Sequence, residues 1–475
     1  MSATDEWDDL VAEIDGIRPA AQLHEPSSHY EMSELGNARR LVDTFGADLR
    51  YVPQWGRWLA WDGSRWAVDS TGQVERCAKA TAEAILDEAR AVGDDKRFRH
   101  GLRAQSASGV RNTVALAGTE PGVPVLVDEL DADPMLLGVA NGTVDLRTGK
   151  LRPSERSDLL TKASRVAYDM DAGCPGFEAF LADILPDPEV RAFLQRFAGY
   201  SLTGDVSEHA LLVCYGVGAN GKSTLLRLLL RLLGEHSIPA PPRLLIADRH
   251  PEHPTSVASL HGRRLAVVME VDEGARWDEA TVKNLTGGDR LTARYMRQDF
   301  WDFAPTHKFI VATNHKPTVR GGDLGIWRRI NLVPFEVTVP PERQDPHLAE
   351  RLEAELPGIL NWALRGCLIW QRDGLGVPAA IREATEAYRA EQDVLAQFLG
   401  EVTVTTPVGK VNGGQLYRAY TSWCATQGLD HPLSQKAFVS RLQDRGLRSE
   451  TDRSKARWWL GIALPIQEAP RGADL

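Results

Sequence analysis

A glycine-rich stretch near the middle of the chain has the residue types and spacing of a phosphate-binding loop. It fits the pattern G-x-x-x-x-G-K-[ST], and its candidate nucleotide-binding residues are Gly216, Gly218, Asn220, Gly221, Lys222, Ser223 and Thr224. In such loops backbone N–H groups surround phosphates at a helix N-terminus. Lys222 is expected to reach the β- and γ-phosphates, and the Ser223 hydroxyl is expected to ligate Mg²⁺. The stretch predicts binding of a nucleoside triphosphate.

The residues around this loop predict the elements that must position it. The apolar run at 210–215 suits a buried strand, and the leucine-rich run at 225–233, closed by Gly234, suits a helix. A glycine-rich turn that matches by accident would not need a strand before it and a helix after it. The alternation of strand and helix patterns from 208 to about 337 predicts an α/β nucleotide-binding domain.

Polar residues at the ends of two further apolar runs are candidates for hydrolysis. Glu270 follows the run at 265–269 and is the first choice for holding Mg²⁺ and polarising the attacking water. Asp272 and Glu273 are alternatives, because acids after a buried strand are common. Asn314 ends the run at 308–313 and could orient the water, although a strand-ending Asn in a turn before Lys316-Pro317 explains it equally well.

The net charge is −10, yet the charge is unevenly distributed along the 475 residues. Residues 1–34 carry nine acids and one arginine, so the remaining 441 residues carry only −2. Basic patches can therefore dominate locally, and a nucleic-acid partner is not excluded. We interpret 1–34 as a flexible acidic tail. The five cysteines are scattered without a C-x-x-C pair, so no zinc site is predicted.

Residues 35 to about 120 are predicted to form a small mixed unit with a hairpin turning at Asp62-Gly63. Four tryptophans within twelve residues suggest either stacking on bases or the core of a small β-unit. Residues 121–207 are predicted to contain a second hairpin, with an Asn-Gly turn at 141–142, and two helices that lead into the loop strand.

The C-terminal stretch predicts two helices followed by a β-ribbon, the order of a winged helix-turn-helix. Ser434 is a good N-cap for the second helix. Residues 435–460 have a net charge of +4. The basic residues proposed to contact DNA phosphates there are Lys436, Arg441, Arg445, Arg453, Lys455 and Arg457. A winged helix used for protein contacts is the alternative.

Taken together, these motifs resemble superfamily 3 helicases, most closely the phage, plasmid and poxvirus-type primase–helicases. The resemblance rests on the loop, the acid-tipped strand, the segment 283–294, the Ala312-Thr313-Asn314 strand end and the segment 325–335. It implies an α/β fold with an AAA+-like P-loop NTPase core, a mixed α/β N-terminal domain and a C-terminal winged helix. The implied domains are a tail at 1–34, a helicase-associated domain at 35–207, the ATPase at 208–395 and the winged helix at 396–475.

The resemblance also implies roles for further residues. Lys283 matches a characteristic family lysine, and Arg294 and Arg297 lie where a pore hairpin would grip single-stranded DNA. Arg328 and Arg329 match the arginine-finger segment, and the family pattern favours Arg329. Val271 stands where many members have a second acid, so the identity of the catalytic base stays open.

The resemblance implies an ATP- and Mg²⁺-dependent, ring-forming DNA helicase of a phage, prophage or plasmid, located in the bacterial cytoplasm. The expected partners are single-stranded and forked DNA and further copies of the chain, with a hexamer and 3′-to-5′ movement as the family's usual state. A primase domain does not fit into 34 residues, so a separate primase is expected. The rivals are an ATP-switched DNA-binding initiator that does not unwind DNA, and a P-loop kinase.

Overall fold

A computed structural model describes residues 30–248, 254–297, 299–319, 324–429 and 432–465. The predicted acidic tail therefore lies outside the described residues except for 30–34. The chain divides into two compact units, one of them running up to Ala132 together with Glu155–Thr161. The other comprises Asp133–Ser154 and the chain from Lys162 onward.

The first unit combines helices with a small antiparallel sheet. Its helices are α1 (Glu34–Phe45), α2 (Gln73–Val92), α3 (Asp95–Ala104) and α4 (Ala107–Ala117), and its strands are β1 (Leu49–Val52), β2 (Arg57–Trp61) and β3 (Trp66–Val68). The predicted hairpin is confirmed, because β2 pairs with β3 and the Asp62 carboxylate accepts the backbone N–H groups of Ser64 and Arg65. Trp66 is fully buried and its indole donates to the Arg156 carbonyl, so this tryptophan packs in the core.

The second unit contains the remaining elements. Its strands are β4 (Leu136–Val139), β5 (Gly142–Asp145), β6 (Lys150–Arg152), β7 (Leu211–Tyr215), β8 (Ser237–Ala240), β9 (Leu265–Val268), β10 (Leu291–Ala293), β11 (Trp301–Phe303), β12 (Lys308–Thr313), β13 (Ile330–Pro334), β14 (Val404–Asn412), β15 (Ser449–Thr451) and β16 (Arg457–Ala463). Its helices are α5 (Pro175–Ile184), α6 (Pro188–Leu202), α7 (Lys222–Leu233), α8 (Pro254–Ala258), α9 (Glu279–Leu285), α10 (Leu324–Trp327), α11 (Leu348–Ala354), α12 (Leu356–Asp373), α13 (Ala379–Glu391), α14 (Val394–Val402), α15 (Gly413–Thr426) and α16 (Gln435–Asp444).

A five-stranded parallel sheet organises this unit, with the strand order β13-β7-β12-β9-β8. All residues of β7, β9 and β12 are buried except Tyr215, as expected for a parallel sheet covered on both faces. Tyr215 pairs with Thr313 on one side and Pro334 on the other, so three strands end at one level. The acid-tipped strand β9 is separated from the loop strand β7 by β12.

The hairpin predicted at 141–142 is confirmed as β4 with β5, but its turn consists of Ala140 and Asn141, because Gly142 already pairs with Val139. This hairpin belongs to the core of the second unit. Val144 and Leu146 lie in the same buried cluster as Phe177 and Leu225. The division at Ala132 therefore differs from the boundary at 207 expected from sequence, because the apolar face of this hairpin is buried against the helices that precede β7.

Helices α6 and α12 pack closely because each presents a glycine to the other. A Cβ on Gly199 would lie 2.0 Å from the Cys367 backbone nitrogen, and a Cβ on Gly366 would lie 2.0 Å from the Gln195 carbonyl oxygen. The helix α6 leads directly towards β7, so this contact helps to position the loop strand.

We expect Gly366→Ala to destabilise the protein, because the helix backbones must separate to admit the methyl group, at a cost of about 1–3 kcal/mol. Gly400→Ala is the matched control, since Gly400 also lies within a helix but a Cβ there would meet nothing within 4 Å. The control should gain about 0.5–1 kcal/mol from helix propensity. Thermal unfolding followed by circular dichroism measures both; equal midpoints for the two variants would contradict the close packing.

The C-terminal part has its own buried cluster, formed by α14, α15, α16 and the sheet β14-β16-β15. The two predicted helices and the ribbon are confirmed, and Ser434 caps α16 by accepting the Ala437 N–H. The long strand β14 was not predicted. Leu395 and Phe398 of α14 belong to this cluster, so a boundary at 396 cuts into α14. Among the helices of the described ranges, none has the length and hydropathy needed for crossing a bilayer.

Candidate functional site

The predicted phosphate-binding loop joins the end of β7 to the start of α7, as expected from the sequence. Gly221 has φ +78°, a conformation that favours glycine, and Ala219 has φ +60°. A Cβ on Gly216 would lie 2.2 Å from the Phe335 carbonyl oxygen, so only glycine fits there. Residues 217–219 are exposed, and the loop meets the first turn of a twelve-residue helix. The first N–H groups of a helix have no intrahelical partner, so this loop end offers donors to an anion.

Lys222 is a buried cation without a carboxylate partner within the described residues. Its side chain is 5% exposed, and its Nζ donates to the Gly216 carbonyl at 2.6 Å, to Asn220 Oδ1 at 3.1 Å and to Asn314 Oδ1 at 3.3 Å. All three acceptors are neutral. Burial lowers the pKa of Lys222, because the charged form loses contact with water. An anion at this place would compensate it.

Asn314 lies directly after β12, at the level where β12 pairs with the end of β7. Its side-chain oxygen contacts Lys222 Nζ, although the two residues are 92 positions apart in the chain. The structure thus brings Asn314 into contact with the predicted phosphate-binding loop. An Asn that only ended a strand before a turn would not need this contact.

Glu270 lies two residues beyond β9 and is exposed. Its φ of +60° is unusual for a residue other than glycine. Asp272 and Glu273 are also exposed, and no contact of these three carboxylates with another side chain is seen in the described part of the chain. Ser223 is exposed and Thr224 half-buried on the first turn of α7. The structure therefore leaves the carboxylates and the Ser223 hydroxyl accessible to a cation.

Unusual backbone conformations coincide with several candidate positions. Of the seven described residues other than glycine with positive φ, three are candidate residues, Glu270, Arg297 and Lys455, and a fourth, Ala219, lies within the predicted phosphate-binding loop. Left-handed backbone at such residues costs of order 1–3 kcal/mol and is retained where the surrounding structure imposes it, often at functional sites.

Arg328 and Arg329 differ in their surroundings. Arg329 is half-buried, and its guanidinium donates to Thr286 Oγ1 at 3.0 Å and to the Gly325 carbonyl at 2.7 Å. Arg328 is exposed, and its guanidinium has no contact among the described residues. Within the described residues, Arg329 is thus held by contacts inside the chain, whereas the Arg328 guanidinium is open to solvent, and this difference bears on which of the two could act as the finger.

Both arginines precede β13 and lie at the opposite edge of the sheet from their own loop. Ile330 pairs with Leu211 at the start of β7, whereas Pro334 pairs with Tyr215 at its end. Four residues of strand correspond to about 13 Å. Neither arginine therefore lies at the end of β7 from which its own phosphate-binding loop extends.

A short hairpin, β10 with β11, lies between the predicted acid and asparagine. Arg294 follows β10 and stacks over the Phe300 ring at 4.6 Å, and Arg297 is exposed with φ +62°. Met296 and Phe300 are 71% and 56% exposed in the connecting loop, and sequence reasoning did not select them. The available signal was an apolar residue on each side of Arg297, outside any periodic pattern. Lys283 is half-buried on α9.

The basic residues of the C-terminal part are mostly exposed, but they are not equivalent. Arg445 forms an ion pair with Asp393, so its charge is already compensated. Arg453 and Lys455 lie in the exposed turn between β15 and β16. The Asp452 carboxylate holds this turn, and the hydrogen bonds from Ser454 and Trp458 lower the pKa of Asp452 to about 2. Lys436 and Arg457 are exposed and Arg441 is half-buried.

Two family models match the chain. Residues 38–186 match the family described as D5 N terminal like, and residues 214–329 match a family of unknown function, DUF5906.

Curated relatives are viral. The chain is 28% identical over 325 residues to a "Putative helicase" of Acanthamoeba polyphaga mimivirus, covering 63% of this chain and 34% of that protein. It is 25% identical over 415 residues to a "Putative helicase" of Frog virus 3, covering 69% and 42%. It is 26% identical over 330 residues to a "Putative primase" of African swine fever virus, covering 63% and 34%. The chain thus spans roughly a third to two fifths of the length of these relatives.

A solved structure, the apo C-terminal region of NrS-1 (residues 305–718), shares the fold at 12% identity. The TM-score is 0.50, and the match covers 91% of this chain and all of the other. The D5 N terminal match and the viral relatives show that the chain is similar to D5-type primase–helicases.

Proposed function

We propose that this protein is the ATP-driven helicase part of a D5-type replication protein and that it moves on single-stranded DNA. One observation carries the proposal: Lys222 is a buried cation at a helix N-terminus whose partners are all neutral oxygen atoms. Such a site favours a phosphate group. The viral relatives named as helicases support the assignment to DNA unwinding, and a phage, prophage or plasmid in a bacterial cytoplasm remains our proposal for the source.

The residues present fit Mg²⁺–ATP, which supplies the γ-phosphoryl group that is transferred to water. The loop Gly216–Thr224 would hold the phosphates, and Lys222 would exchange its neutral acceptors for phosphate oxygens. Ser223 and Glu270 would ligate Mg²⁺. Asn314, adjacent to Lys222, would orient the attacking water. Glu270 or one of the neighbouring carboxylates would accept its proton.

We propose that hydrolysis occurs between subunits of an AAA+-like ring. Arg328 is exposed and lies at the sheet edge opposite its own loop, so it is suited to a phosphate bound by a neighbouring subunit. If each finger must meet the next loop, the assembly closes into a ring. The hexamer remains an expectation from the family resemblance. Arg329 would serve as a brace, because Thr286, to which it donates, precedes the hairpin by only a few residues.

The hairpin and the C-terminal part are the proposed DNA contacts. Arg294 and Arg297 would bind the phosphates of the strand in the pore. The helix–helix–ribbon order of the C-terminal part supports a winged helix, with the cations of α16 and the β15–β16 turn contacting DNA. The alternative is an ATP-switched initiator that binds DNA without unwinding it, and such a protein does not need the hairpin arginines.

Arg294→Ala combined with Arg297→Ala should uncouple the motor. Basal ATP hydrolysis should persist, while unwinding of a forked duplex and stimulation of hydrolysis by single strands should fall at least about tenfold, since two phosphate contacts are lost. The matched control is Arg372→Ala with Arg389→Ala, which removes one exposed and one half-buried arginine whose ion pairs are with neighbours on their own helices. A strand-displacement assay with a labelled fork measures the difference.

Unwinding that survives in the hairpin variant would assign Arg294 and Arg297 to an ordinary solvated turn. Wild-type protein that hydrolyses ATP and binds the fork but never separates its strands would instead support the initiator.

A further inference from the structure

In the first unit the basic residues are concentrated in one stretch of the chain, and the proposed ATPase and helicase activity assigns no role to that stretch. Residues 96–119 contain four arginines and one lysine but no acid. The described residues of this unit outside that stretch contain twice as many acids as basic residues. The stretch covers α3 and α4, two helices joined by the two-residue turn at Gln105-Ser106.

Three of these cations form one stripe on α3. Lys96, Arg99 and Arg103 follow the spacing i, i+3, i+7, which places them within about 60° of arc on a helix. All three are exposed, and none has a side-chain partner among the described residues. Arg97 points away from this stripe and pairs with Glu88. Arg111 adds a further exposed cation on α4.

Helix stability does not account for this arrangement. Like charges three and four positions apart destabilise a helix by about 0.2–0.5 kcal/mol per pair. Lys96 also lies in the first turn, where the helix dipole disfavours a positive charge. The exposed face of α2 instead mixes both signs of charge, with Glu83 and Asp87 lying between Lys79 and Arg90.

We propose that the stripe of Lys96, Arg99 and Arg103 binds the phosphate backbone of DNA, as a further contact in addition to those proposed for the hairpin and the C-terminal part. The three positions span about 10 Å along the helix, over which one strand of a duplex presents about three phosphates at a rise of 3.4 Å. This proposal rests on the DNA-binding part of the proposed function but does not depend on ATP hydrolysis. DNA binding is therefore measured without nucleotide.

The test is Lys96→Gln with Arg99→Gln and Arg103→Gln in the full chain. Each phosphate contact contributes about 0.7 to the salt slope on single strands and about 0.9 on duplex. The triple variant should therefore lose about 2 units of slope and roughly tenfold to a hundredfold in affinity at 0.1 M salt. Fluorescence anisotropy with a labelled 40-nucleotide single strand and with a duplex of equal length, at several KCl concentrations, measures both quantities. The substrate that shows the loss identifies which form the stripe contacts.

The matched control is Lys79→Gln with Arg57→Gln and Arg90→Gln, which removes one lysine and two exposed arginines from the same unit. If the triple variant does not fold, Arg103→Gln alone replaces it as the test variant, and the slope of log affinity against log salt concentration should then change by about 0.7–0.9. If the test and control variants lose equal DNA affinity, the effect comes from net charge alone and the proposal is overturned. An unchanged salt slope in the test variant would also overturn it. Tighter DNA binding by the test variant would also overturn it, because the stripe would then hold an acidic protein segment. Wild-type protein that binds DNA but fails to unwind it would count against the helicase and leave this proposal standing.

Discussion

Lys222→Ala should abolish ATP hydrolysis and leave the fold intact. The substitution removes the one lysine that we place against the β- and γ-phosphates from within the loop's own chain, and loss of one preorganised electrostatic contact costs about 10²–10³-fold in rate. The fold should survive, because the three acceptors of Lys222 lie in the loop and at one strand end rather than in the core. Phosphate release, nucleotide binding and the thermal midpoint should be measured together.

Lys316→Ala is the control for this substitution. Lys316 lies just beyond β12, close in the chain to Asn314. Its Nζ pairs with Glu391 at 2.8 Å, so its charge is already compensated. Its variant should hydrolyse ATP at close to the wild-type rate. A folded Lys222→Ala protein with full activity would remove the basis of the nucleotide assignment.

Arg328→Ala should be nearly inactive as a pure protein yet recover activity in a mixture. An arginine acting from a neighbouring subunit contributes about 10³–10⁵ in rate in related phosphoryl-transfer systems. Lys222→Ala keeps its finger and Arg328→Ala keeps its loop. In rings assembled at random from an equal mixture, about a quarter of the interfaces combine an intact loop with an intact finger. The mixture should therefore recover about a quarter of the wild-type rate of ATP hydrolysis. Steady-state hydrolysis as a function of mixing ratio measures it.

Arg329→Ala distinguishes the two arginines. It removes the hydrogen bonds to Thr286 and Gly325, so it should lower the thermal midpoint, whereas Arg328→Ala should not. If Arg329→Ala keeps the wild-type midpoint and complements Lys222→Ala, and Arg328→Ala remains active, then Arg329 is the finger after all. Mixtures that exchange subunits but recover nothing would contradict a shared site.

Local signals determined much of the fold from sequence. The strand, loop and helix around Lys222, the hairpins at 62–63 and 141–142 and the cap at Ser434 depend on residues within a few positions of one another. Their backbone conformations follow from glycine, turn and capping chemistry that is visible along the chain. The candidate phosphate-binding residues accordingly lie where β7 passes into α7, and Arg294 and Arg297 lie beyond β10, as the local patterns predicted, while their roles stay predictions.

Only the tertiary structure decided which of these pieces meet. The order of parallel strands is set by how helices cover both faces of the sheet, so β12 could enter between β7 and β9 and bring Asn314 to Lys222 without any local sign of it. The difference between Arg328 and Arg329 depends on Thr286, 43 positions earlier, and was therefore invisible to strand alternation. The exposure of the α3 stripe likewise required the packed unit, because a sequence shows charges but not which of them find partners.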